Sequence, residues 1–188
     1  MRSFMFAALG LILSSGCVSR YEDVSTSQPS ATIEFSKGYT TGLSLAATGA
    51  SQEYSFSSDI EDRSCQSLSR AAFFAYMNSE PVTRRVEAGA PLRIYAATDF
   101  SRTTGVTGMG QEGFSVHVAR NQCLAEAVFT PEAGRAYRVV QREQRVGVCE
   151  LEIVDTTTNA APEGVQVTNE TGCFEGERFG GGSPSEAK

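Results

Sequence analysis

The chain has no tryptophan and a single histidine, His117, among 188 residues. One imidazole cannot build a multi-histidine metal centre, and any Ser-His-Asp arrangement would have to run through His117 alone. No Cys-x-x-Cys pair occurs, which weakens zinc-ribbon and thioredoxin-like readings. No apolar run approaches the roughly 20 residues that a bilayer-spanning helix needs. Nor is there a Gly-x-Ser-x-Gly elbow or a Gly-Lys-Ser/Thr phosphate loop. Positive charge is the minority sign: 16 Lys and Arg stand against 22 Asp and Glu, for a formal charge of −6. An acidic surface repels phosphates and argues against a nucleic-acid partner.

What is present is enough for a packed core. Hydrophobic residues make up 40% and charged residues 20%, and the length suits one domain with tails. At the start, Arg2 precedes the apolar run Phe4 to Leu13, too short to span a bilayer and suited to an export signal. Ser14-Ser15-Gly16-Cys17 follows, and this segment resembles the lipobox of bacterial lipoproteins. One departure stands in it: Ser14 occupies the place three before the cysteine, where that family favours Leu. The resemblance implies a signal peptide over 1–16, a fatty-acylated Cys17 and an anchor in the membrane. Loss of Arg2 with the signal would take the formal charge from −6 to −7. Val18, not an aspartate, follows the cysteine, and by the same resemblance this implies the outer membrane, facing the periplasm.

Residues 17–30 are polar and rich in Ser and Thr, and read as a flexible tether that is removable at little cost. Residues 179–188 are rich in Gly, Ser and Pro and read as a disordered tail. Between them, 31–178 carries short period-two runs. Ile33 and Phe35 alternate with Thr32 and Glu34. Leu92, Ile94 and Ala96 alternate with Arg93 and Tyr95, and Cys149, Leu151 and Ile153 with Glu150 and Glu152. Such runs predict half-buried antiparallel strands. Thr130 to Gly134 reads as the turn of a hairpin joining Cys123–Phe129 to Ala136–Gln141. The pattern predicts an all-β, antiparallel β-sandwich with at most one short helix, whose candidate is Cys65 to Met77, a segment that could equally be a buried strand. Phe129 to Tyr137, followed by Cys149 to Ile153, is similar to small β-rich bacterial lipoproteins. That resemblance implies a fold type and an envelope location, and brings no catalytic residue with it.

Apart from Cys17, four cysteines remain in the body, an even number in an exported chain, which predicts two disulfides. Three connectivities are open. Alternation places Cys123 and Cys149 on inward faces, so they are the natural pair, leaving Cys65 to Cys173. If both strands flanked Ala136–Gln141 in one flat sheet they would lie about 9–10 Å apart, beyond disulfide reach. The pairing therefore requires a strand end, a bulge or two facing sheets.

Chemistry is sparse. His117 sits in an alternating run as an exposed strand residue, and Asp99 with an arbitrary serine makes no triad. The cluster Asp59-Ile60-Glu61-Asp62 lacks the pattern of a calcium loop and reads as a solvated turn. The glycine-rich stretch 99–113 reads as a long loop, either plainly flexible or used for binding. Arg84, Arg85, Arg135, Arg138, Arg142 and Arg145 read as a solvated face, with contact to anionic lipid or glycan as the functional alternative. These observations assign no cofactor, no metal and no enzymatic activity. The expected function is that of a membrane-anchored envelope lipoprotein with a structural or protein-interaction role, with another envelope protein as partner. The alternative is a small binding or inhibitor module using the loop 99–113.

Overall fold

The structure, a computed structural model, describes residues 19–38, 47–61, 67–75, 80–110, 113–145 and 148–169. Ten strands occur among them: β1 (Ser19–Arg20), β2 (Ser30–Ser36), β3 (Ala47–Ser57), β4 (Ser69–Phe74), β5 (Val82–Glu87), β6 (Leu92–Gly110), β7 (Gly113–Phe129), β8 (Ala136–Arg145), β9 (Val148–Asp155) and β10 (Gln166–Thr168). They form a six-stranded sheet, β1-β4-β3-β6-β7-β10, and a four-stranded sheet, β5-β2-β8-β9. No described residue is helical, and the helix candidate resolves, over its described part, into β4.

The two sheets bury their inner faces against each other. From the smaller sheet come Ala31, Ile33, Phe35, Val86, Tyr137, Val139, Leu151 and Ile153; from the larger, Tyr54, Phe56, Phe74, Ile94, Ala96, Ala125, Ala127 and Phe129. Rings interlock across the gap, Phe35 lying 4.8 Å from Tyr54 and 5.4 Å from Phe56 between centroids. The alternation read from the sequence therefore selects the correct inward residues in β2, β6, β7 and β9. Arg93 and Tyr95, expected on the solvent side of β6, are nevertheless buried. The chain at Ile60 crosses that face, its carbonyl accepting from the Arg93 guanidinium, which also donates to the Tyr95 hydroxyl at 2.9 Å and pairs with Glu126 at 3.6 Å.

The sheets are mixed, not purely antiparallel. β1 runs parallel to β4, and β2 parallel to β8. The second of these overturns the hairpin expected at Thr130–Gly134. That turn carries the chain from β7 in one sheet to β8 in the other. Gly134, at φ 77°, donates its N–H to Ser30 O at 2.8 Å, and Glu132 N–H donates to the Tyr137 hydroxyl at 2.9 Å. An arch and a hairpin look alike in sequence because both flanking strands bury one face in the same core.

The same crossing settles the geometry of one cysteine pair. Cys123 in β7 and Cys149 in β9 are disulfide-bonded across the facing sheets, with α-carbons 5.7 Å apart. Cys65 and Cys173 lie outside the described residues, as do the signal 1–16, Cys17 and the tail 179–188.

Two further expectations are corrected. The stretch 99–113 is not a loop: its described residues continue β6 and β7 as a paired ribbon. Thr103, Thr104, Val106 and Thr107 suit a strand, and the glycines fall where the register shifts, next to Thr103/Gly105 and Thr107/Gly110. The second is the tether. From Ser19 onward the chain is docked on the domain. Tyr21 N–H donates to Arg70 O at 2.9 Å, and the Tyr21 hydroxyl to Arg85 O at 3.0 Å. Val24 N–H donates to Arg85 O at 3.2 Å, and Arg85 N–H to the Asp23 carboxylate at 3.0 Å. Ser19–Val24 is thus a strap tying β4 of one sheet to β5 of the other. A single aromatic in a polar run provides its hold: the Tyr21 ring meets Phe56 edge-on at 4.7 Å.

Candidate functional site

The strap closes one side of the sandwich, and beside it lies a cleft of about 360 Å³ lined by Arg20, Arg70, Ala71, Ala72, Phe73, Val82 and Arg84. Each arginine arrives from a different strand. Arg20 of β1 and Arg70 of β4 are direct partners in the parallel pair, which sets two like charges side by side. Arg70 is relieved by Glu53 of β3 at 3.1 Å and lies over the Phe73 ring at 5.5 Å. Arg84 is opposite inward-facing Ile33 in β5, between Val82 and Val86, and its Nε donates to Ala71 O at 2.7 Å. Lys37 Nζ donates to Ala75 O at 3.3 Å, just beyond the end of β4.

This placement has a local cause. β4 pairs on its outer side only at Ser69 and Arg70, so its later residues form a sheet edge, and β5 is the edge strand of the other sheet. Cations on and under an edge block further strand addition. They also concentrate positive charge: among the described residues neither Arg20 nor Arg84 has a carboxylate at ion-pair distance. Guanidinium forks in a cleft of this kind suit phosphate or carboxylate oxygens. Phe73 is one of only two large hydrophobic side chains that are exposed among the described residues.

On the other side of the strap a separate recess of about 240 Å³ is lined by Tyr21, Glu22, Ser67, Ser69, Glu87 and Leu92, among others. Burial, and then the Asp23 and Glu87 carboxylates, push the Tyr21 hydroxyl above its ordinary pKa, against a smaller opposing effect of Arg84. A raised folded-state value stabilises the fold below the ordinary tyrosine pKa of about 10 and withdraws that support as pH climbs through the folded value. Tyr21→Phe should flatten this alkaline loss of stability in urea titrations run at rising pH. Tyr21→Ala should lower stability by about 2 kcal/mol, since half-buried ring packing goes with the hydroxyl. A strap that could be cut at no cost would leave both variants as stable as the wild type.

The residues singled out from sequence are dispersed. His117 pairs with Gly105 through the β6–β7 ladder, and its side chain lies outside the described ones. Asp99 pairs with Gln122 in that ladder. Asp59 accepts from Glu61 N–H at 3.0 Å in a local turn, while Asp62 lies outside the described residues. No group of three potential metal-ligating side chains occurs among the described residues. Of the expected basic face, Arg135 pairs with Glu132 and Asp155, Arg142 with Glu152, and Arg85 holds the strap. Only Arg84 joins the cleft. Arg20 stands in a polar run and Arg70 in a segment that suits helix and strand alike, and no local signal announces that β1 and β4 pair.

Compared with known proteins, the chain matches no family model, no curated protein and no solved structure.

Proposed function

We propose that this is an envelope lipoprotein, anchored through Cys17, whose sandwich serves a structural or protein-interaction role and not an enzymatic one. The observation that supports it most is the strap. Ser19, two positions after Cys17, already pairs with Ser69 and donates through its hydroxyl to Leu68 O at 3.2 Å. At most about 7 Å of extended chain therefore separates the anchor residue from the folded domain. A lipid there holds the sandwich against its own leaflet, where a long tether would let it range. The partner in this reading is another component at that surface, and Val18 after the cysteine supports the outer membrane, periplasmic side.

Cys17→Ser tests the anchor. The variant should lose fatty-acid labelling and move from the membrane fraction to the soluble periplasm; unchanged partitioning overturns the reading. A second reading, a binding or inhibitor module acting through 99–113, draws on the way β6 and β7 continue past Arg102, the last residue that β3 accompanies. Pull-down from crosslinked envelopes separates the two. A stable stoichiometric envelope partner supports the first, and a captured enzyme or small ligand the second.

A further inference from the structure

We propose that the Arg20–Arg70–Arg84 cleft binds the phosphate of an anionic phospholipid headgroup in the leaflet to which Cys17 is attached, so that the sandwich lies on the membrane by its β1–β4–β5 side. This rests on the anchor reading above and adds an orientation and a ligand to it.

Three independent features converge on that side. The first is position: Arg20 is three residues after Cys17, within about 11 Å of extended chain, and a guanidinium that close to an acylated cysteine is at headgroup depth. The second is charge. The cleft brings three arginines together against one carboxylate, Glu53, which is engaged with Arg70. The whole chain carries −6 and is repelled by an anionic leaflet, so the face that approaches is the one where cations gather. No carboxylate lines the cleft itself: Glu22 and Glu87 line the recess across the strap, and Asp23 caps the Arg85 amide. The third is the aromatic. Phe73, 45% exposed and stacked under Arg70, supplies an apolar wedge at the rim of the cleft, as interfacial binders place beside their basic residues.

The phosphate would accept from the Arg20 and Arg84 forks, the two guanidiniums of the cleft without a carboxylate partner among the described residues. It would also relieve the repulsion between Arg20 and Arg70, adjacent in the parallel pair. Lipid and cleft then act as two signals, one hydrophobic and one electrostatic, and the second fixes which way the domain faces.

The test uses the mature chain carrying Cys17→Ser, so that no acyl chain contributes, in flotation with phosphatidylcholine vesicles and with vesicles containing phosphatidylglycerol. Binding should appear only with phosphatidylglycerol and weaken as salt rises. Arg20→Gln combined with Arg84→Gln should reduce it about 30-fold, from the usual contribution of each basic residue near an anionic surface. Arg84→Lys keeps the charge and should retain most of the binding, and Arg20→Gln alone, at an exposed position, reads the effect without disturbing the edge. Equal binding to both vesicle types, or an unaffected double variant, overturns the proposal. Binding of inorganic phosphate by the soluble protein, with no retention on phosphatidylglycerol vesicles at matched ionic strength, overturns the lipid in favour of a free anion. The anchor itself is read separately by fatty-acid labelling of the unmodified protein: labelled protein whose Cys17→Ser form ignores phosphatidylglycerol defeats this inference alone, and unlabelled protein defeats the anchor.

Discussion

Replacing Cys123 and Cys149 together by alanine should cost about 3.5 kcal/mol of unfolding free energy, the chain entropy restored to the denatured state when a 26-residue loop is opened. Against a total of about 5–15 kcal/mol for a domain, that is a large fraction. The cross-link joins β7 of one sheet to β9 of the other, and the strands between its ends, β7 to β8 to β9, include the arch through which the chain changes sheets. Opening it frees the unfolded chain at the one side-chain cross-link between the two sheets among the described residues. The double variant leaves no odd thiol to shuffle with Cys65 or Cys173. Urea unfolding, with m measured alongside, checks the claim. A loss below about 1 kcal/mol with m unchanged would mean that the denatured chain is already compact over this stretch and that the cross-link restricts it little.

That pairing was legible in the sequence because it needed only strand alternation. Cys149 shares parity with Leu151 and Ile153, and Cys123 with Ala125, Ala127 and Phe129, and all are inward in the structure. Which sheet each strand joined was not legible. Period two says which residues face a core and is silent on the neighbouring strand, so the turn at Thr130–Gly134 passed for a hairpin and the parallel pairing of β2 with β8 went unseen. The cleft failed for the same reason. Its arginines stand at positions 20, 70 and 84, and it exists only because a two-residue strand, β1, lands on the edge of β4. The strap was missed because Tyr21 is one apolar ring in a polar run, too little for any composition argument, while its backbone hydrogen bonds carry no sequence signature. Glycines misled in 99–113: they mark shifts of register within a ribbon, and composition alone reads them as a loop.

Gln141→Leu should destabilise by about 2–4 kcal/mol, although glutamine and leucine are close in size, because Gln141 is the hub of a buried polar network between the sheets. Gln52, Thr98 and Gln141 are each no more than 1% exposed. Gln52 Nε2 donates to Thr98 Oγ1 at 2.9 Å and to the Gln141 carbonyl at 3.0 Å, while its Oε1 accepts from Gly38 N–H at 3.0 Å. Thr98 donates to Gln141 Oε1 at 2.6 Å, and Gln141 Nε2 reaches the carbonyls of Ala96 and Cys123, both at 3.3 Å. The Tyr54 hydroxyl accepts from Gln141 N–H at 2.8 Å and donates to Ser36 O at 3.0 Å. Every polar atom named has a partner, and leucine at 141 takes the acceptor from the Thr98 hydroxyl proton and a side-chain donor from the two carbonyls at once. The site has no slack to absorb the change: at Gly38 even a β-carbon would come within 1.7 Å of the Gln141 carbonyl oxygen, so the loop after β2 is pressed directly onto this strand. If the network acts as a unit, Gln52→Leu and Gln141→Leu are not additive. The double variant removes donors and acceptors together and should be less destabilised than the sum of the singles by about 1–3 kcal/mol. Chemical unfolding of the four proteins in the cycle measures that coupling, and strict additivity would show that the two glutamines are satisfied independently.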